Sequence, residues 1–171
     1  LLAIRAQEDA GLDIVTDGFG VPQGVPEINV ISGNHTITAP VTLLRNAVLN
    51  VVPAGGSLTL SGDFTATGRV VTKRGAGLAT VNNIRSGGLN VSGGTLRIAP
   101  NSQPAGVSKV TNLTIDAGAK LDLADNKLIT AAPLGTWTGS AYDGVSGLVD
   151  SARGNLGTPL WDGPGITTSD T

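Results

Sequence analysis

The sequence predicts an all-β chain folded as a parallel β-helix, a β-solenoid, with short helical or irregular caps at both ends. Three observations predict it. Apolar residues make up 40% of the 171 residues, and most are Val, Ile and Leu placed with period two. That spacing marks half-buried strands, not a disordered Gly-rich chain. Gly- and Asn-bearing turns interrupt the alternation at short intervals. Finally, Phe19, Phe64, Trp137, Tyr142 and Trp161 are the only aromatic residues, and only Phe64 lies between residues 28 and 131. A two-sheet sandwich leans on large aromatics that span its core, whereas a solenoid stacks small aliphatic side chains in ladders along a narrow interior.

Residues 1–27 read as an N-terminal cap or donor segment. The stretch LLAIRAQEDA has the strongest helix propensity in the chain, with Gly11 as its stop. Leu12-Asp13-Ile14-Val15-Thr16 follows, with enough β-branched character for an added strand, and Pro22 and Pro26 then favour an extended connector. Residues 28–131 carry the coils. The pairs Ile28/Val30, Leu58/Leu60, Leu89/Val91, Leu96/Ile98, Leu113/Ile115 and Leu121/Leu123 each place two apolar side chains on one face. A weak repeat of "apolar-x-apolar, Gly turn, apolar-x-apolar" recurs, and at roughly 20 residues per coil it makes about five coils. Residues 132–171 form a Trp-containing cap. Asp143 is placed to cap a short helix whose Val145, Leu148, Val149 and Ala152 share a face and which ends before Gly154. Trp137 and Trp161 flank that helix and read as cap-packing residues.

Composition excludes several function classes. Eleven basic and thirteen acidic side chains give a formal charge of −2, which provides no electrostatic footprint for nucleic acid or anionic lipid. The absence of Cys removes disulfides, thiolate zinc sites and thiol catalysis. No run of about 18 apolar residues is present, so membrane insertion by this segment is not expected. A start at Leu1 reads as a piece of something longer. His35, the only histidine, sits in a turn leading into a strand and reads as a surface residue. Asp116, Asp122 and Asp125, with Lys120 and Lys127 nearby, are the closest approach to an acid cluster. They fall at turn and outward positions where solvent-facing charge belongs, and no calcium-binding nonapeptide or EF-hand loop is present. Arg69, Lys73, Arg74 and Arg85 lack interleaved aromatics and read as a solvated face. No catalytic residue, metal site or cofactor is assigned.

Residues 89–131 (LNVSGGTLRIAP … LTIDAGAKLDLADNKLITA) resemble the autotransporter-associated β-strand repeats of bacterial surface proteins. Residues 135–139 (GTWTG) and 160–169 (LWDGPGITTS) resemble the segment that closes such repeat regions. The resemblance covers roughly residues 28–171. It implies an exported, right-handed β-helix with a structural or adhesive role and no catalytic residues.

Two functional expectations follow. The first is a non-catalytic extracellular or cell-surface module of a bacterial surface protein, adhesin or filament. In it, the segment carrying Leu12, Ile14 and Val15 either caps its own β-helix or completes a neighbour's edge, giving a head-to-tail homo-oligomer. The second is a carbohydrate-binding or carbohydrate-cleaving β-helix that contacts glycan through Trp137, Tyr142 or Trp161.

Overall fold

The computed structural model describes residues 24–154 and 161–170, together with the backbone of 12–15. The expected helix at residues 1–10 lies outside the described residues. The expected added strand is present as β1 (Leu12–Val15). Three strands make the first coil: β2 (Glu27–Val30), β3 (Asn34–Ile37) and β4 (Val41–Thr42). Thereafter come β5 (Ala47–Val51), β6 (Ser57–Leu60), β7 (Phe64–Arg74), β8 (Leu78–Val81), β9 (Arg85–Val91) and β10 (Thr95–Ile98). The last coil and cap contain β11 (Ser108–Ile115), β12 (Lys120–Asp122), β13 (Leu128–Thr130), helix α1 (Gly144–Ala152) and β14 (Gly165–Thr167).

These strands build a parallel β-solenoid of about five turns. Register defines three faces. On the first, Ile28 stacks through Leu49, Lys73 and Val91 to Ile115. On the second, Leu58 stacks through Ala79, Leu96 and Leu121 to Ile166, beside a Leu60, Val81, Ile98 ladder. On the third, Val41 lies over Phe64, and Ala66 over Ser86, Val110 and Thr130. Strands β7, β9 and β11 are long because each runs along the third face, turns a corner and continues on the first. In β7 the corner falls between Ala66 and Val70, where the register shifts and Gly68 takes a φ of +69°.

The period-two pairs read from the sequence all point inward. Leu58, Leu60, Leu89, Val91, Leu96, Ile98 and Leu121 are fully buried, each contributing about 1.5–3 kcal/mol of apolar transfer. Parallel in-register stacking satisfies both edges of the internal strands with main-chain hydrogen bonds from the coils on either side. The ends are treated differently. At the N-terminal end, β1 lies antiparallel on β2, with Leu12 opposite Val30 and Ile14 opposite Ile28. The segment expected to act as a cap or a donor thus lies on its own chain's edge. At the other end β14 adds in parallel to β12, and α1 packs across it: a Cβ on Gly165 would stand 2.1 Å from the Leu148 carbonyl oxygen. No helix among the described residues is long and apolar enough to cross a membrane.

Lys73 departs from the expected solvated face. Its backbone position, two residues after buried Val71, directs the side chain inward, between Leu49 and Val91 in the first-face ladder, and it is 0% exposed. The ammonium donates to the carbonyl oxygens of Arg74 (2.8 Å), Gly75 (2.9 Å) and Gly93 (3.0 Å). It thereby ties two consecutive coils at one corner. Gly75 makes that corner possible. Its φ is +77°, and a Cβ there would sit 2.2 Å from the Val51 carbonyl oxygen, so no other residue fits without displacing the coil below.

Burial pushes the Lys73 ammonium from 10.5 down to about 8. The unfolded chain therefore keeps a proton between those values that the folded chain has released, and stability rises with pH through that window. Relative to a Lys73→Met variant, the unfolding free energy is expected to increase by roughly 3 kcal/mol between pH 8 and 10.5. Urea titrations of both proteins at the two pH values measure it, and a pH-independent difference would contradict the burial of the ammonium.

Candidate functional site

The charged residues divide into those held in the stacking and those left uncommitted. Asp122 belongs to the first group. It occupies an outward strand position, as expected, yet it is 2% exposed because the C-terminal tail covers it. Oδ2 accepts from Arg97 Nε at 2.6 Å, while Oδ1 accepts from the amides of Ala124 (3.0 Å) and Ser169 (2.9 Å). Desolvation alone would raise this carboxyl. The hydrogen bonds from Ala124, Arg97 and Ser169 outweigh that effect, and the pKa lies below the usual carboxylate value. The expectation of a solvent-facing Asp122 is therefore corrected. The residue is the clasp that holds the closing tail onto the fifth coil.

Asp125 accepts from Ser102 Oγ (2.5 Å) and the Asn101 amide (2.9 Å), bracing the loop between β10 and β11. The Ser102 bond is the main cause of its lowered pKa. Asp116 lies in an exposed turn, and among the described residues no three His, Asp or Glu side chains converge. Lys120 Nζ donates to the Asp162 carbonyl in the tail, and Lys127 is exposed. His35 is within β3, not in a turn, and its Nε2 lies 2.8 Å from the Ser32 carbonyl oxygen. Arg74 pairs with Glu27 Oε2 at 2.5 Å. Arg85 donates to the carbonyls of Pro104, Ala105 and Val107, and Arg69 is exposed.

Exposed aromatic residues gather on the C-terminal cap. Residues 136–143 form a small hairpin, with an antiparallel bridge between Trp137 and Tyr142. Thr138 donates from its amide and its hydroxyl to the Ala141 carbonyl, and the Thr136 amide donates to Asp143 Oδ1 at 2.5 Å. That last bond replaces the expected helix cap: Asp143 precedes α1 but its side chain makes no bond to the helix. The amides of Val145 and Ser146 instead donate to the carbonyls of Pro133 and Leu134, which satisfies the helix start from the main chain. Gly144, at φ +59°, permits this approach, since a Cβ would lie 2.6 Å from the Pro133 oxygen.

The hairpin displays its aromatic residues. Trp137 is 57% and Tyr142 49% exposed, so Trp137 does not pack the cap as its sequence position suggested. The two rings meet edge to face, centroids 5.2 Å apart and planes at 62°. Trp161 is half-buried, with a φ of +69° and its carbonyl accepting from the Thr167 hydroxyl; it serves the cap. The three proposed glycan contacts thus separate into an exposed pair and a structural residue.

Beside Tyr142 an open groove of about 460 Å³ follows α1. Leu134, Val145 and Val149 form its apolar wall, and Ser146, Asp150 and Arg153 its polar one. Sequence reading grouped Val145, Leu148, Val149 and Ala152 on one face. In the fold Ala152 is buried whereas Val145 and Val149 remain half-buried along the groove. No protein family matches the chain, nor does any curated protein or solved structure.

Asp122→Ala leaves Arg97 without its partner and frees the Ser169 amide. Arg97 stays partly solvated, so the expected loss is that of hydrogen bonds to a charged group, about 1–3 kcal/mol at pH 7. Because the folded pKa is depressed, the wild-type advantage is present above the ordinary carboxylate pKa and disappears as pH falls through the folded value. Thermal melts of both proteins from pH 7 to pH 2 test this, and equal stability at pH 7 would contradict it.

Proposed function

We propose that the chain is a non-catalytic structural or adhesive β-solenoid module of a bacterial surface protein, working outside the cell. The observation that carries this reading is the engagement of Asp122 and Asp125. A polysaccharide-cleaving β-helix needs acidic groups free to meet substrate, or a cation held by them, along one lateral face. Here one acid is buried under the tail and the other braces a loop. The resemblance of the repeats and the closing segment to surface-protein repeats supports the location. The intrachain pairing of β1 with β2 supports self-capping as the role of Leu12, Ile14 and Val15, so the shaft needs no exchanged strand from a second copy. Head-to-tail association through strand exchange is the second reading, because the edge of β1 that faces β2 is already paired within the chain.

The shaft is suited to such a role. Interior ladders run through every coil, and the exposed large apolar residues avoid its middle. Val25, Ile31, Leu44 and Val52 lie on the first two coils, and Ile129, Leu134, Trp137 and Tyr142 at the far end. Incubation with neutral and acidic polysaccharides is expected to release neither reducing ends nor unsaturated products. Turnover lost in Asp122→Asn or Asp125→Asn, with melting temperature maintained, would overturn the non-catalytic reading.

A further inference from the structure

The groove beside Tyr142 has the chemistry of a small-ligand site, and we infer that it binds a neutral hexopyranose oligosaccharide, with Tyr142 as its aromatic wall and Trp137 set edge to face against that ring. The inference rests on the adhesive half of the proposed function and names what is held. Size is the first support: about 460 Å³ falls within the roughly 300–1,000 Å³ of small-molecule sites.

Lining pattern is the second. Val145 and Val149 are four residues apart on α1, and Ser146, Asp150 and Arg153 follow at spacings of four and three, so an apolar and a polar stripe run side by side along one groove. A pyranose has the matching division, with apolar C–H faces and a rim of hydroxyls. Ser146, Asp150 and Arg153 make no side-chain hydrogen bond or ion pair among the described residues, even though Asp150 and Arg153 stand at ion-pair spacing. On the shaft, Glu27, Lys73, Arg74, Arg97, Asp122 and Asp125 are engaged, while Arg69, Asp116 and Lys127 are exposed. A carboxylate and a guanidinium side by side accept from and donate to adjacent hydroxyls. Their opposite charges leave no net field to favour a uronate over a neutral sugar.

Preorganisation is the third. The hairpin's hydrogen bonds hold the main chain that carries both rings, and the rings pack edge to face on each other, which lowers the ordering cost of binding. Two of the chain's five aromatic residues stand exposed here, and the solenoid interior uses neither.

Titration calorimetry with cellohexaose, N-acetylchitohexaose, mannohexaose and hexagalacturonate tests the site. At least one neutral hexasaccharide is expected to bind saturably, and more tightly than hexagalacturonate. Trp137→Ala and Tyr142→Ala are each expected to weaken binding about tenfold without moving the melting temperature, and Asp150→Ala to weaken it without unfolding. Binding of none of the neutral sugars, binding that survives both aromatic substitutions, or preference for hexagalacturonate would overturn the inference. Capture of a polypeptide partner through Trp137 in place of any sugar would overturn it as well. The two readings fail separately. Cleavage of a bound hexasaccharide removes the non-catalytic reading and leaves the site standing, whereas an intact, unbound sugar removes only the site.

Discussion

Every coil of this chain leaves a row of main-chain donors and acceptors on each side, and a strand laid in register must satisfy them. The rest of the structure depends on that constraint. It places like over like, so Leu96 lies between Ala79 and Leu121 and Val81 between Leu60 and Ile98. It keeps the interior narrow, which is why Val, Ile, Leu and a single Phe suffice. It also explains the two ends, where β1 and β14 supply the partners that a further coil would have supplied.

Much of this was legible because period-two alternation reports directly which side chains face inward. The pairs on the first two faces, the coil number and the position of α1 are all visible in the residues. The third face was not. Its strands are short or continue round a corner: Val41-Thr42 is two residues long, and Ser86 and Ser108 are buried there without an apolar signature. Ser108 Oγ accepts from the Ile84 amide at 3.0 Å and Ser86 Oγ donates to the Gly88 carbonyl at 2.9 Å, so hydroxyls serve where a main-chain partner is missing at the corner. Lys73 was misread for a related reason. Its neighbours Arg69, Arg74 and Arg85 suggested a basic face, although its spacing from Val71 placed it inside. The carbonyls that hold the ammonium come from a glycine corner that only the coiled chain creates.

The candidate site follows the same division. Trp137 and Tyr142 were recognisable as the aromatic residues outside the coils, but their exposure depends on contacts that sequence does not announce. Asp143 turns away from the helix start to hold the hairpin, and the carbonyls of Pro133 and Leu134 cap the helix instead. The result is a rigid ledge projecting beyond the covered end of the shaft. In the shaft, Lys73 and the Arg74–Glu27 and Arg97–Asp122 pairs tie coils together. On the ledge, Asp150 and Arg153 are free to meet something else.

In-register stacking is tested most directly by cross-linking, for which a chain without Cys gives a clean background. Thr59 pairs with Thr80 and Ser57 with Leu78 on the second face. Neighbouring parallel strands lie about 4.8 Å apart, within disulfide reach, while a two-residue offset places the Cα atoms roughly 8 Å apart, beyond it. Under mild oxidation, Thr59→Cys/Thr80→Cys should form an intramolecular disulfide in the folded protein and Ser57→Cys/Thr80→Cys should not. Efficient bridging of the offset pair, with none in the registered pair, would contradict the stacking on which the account rests.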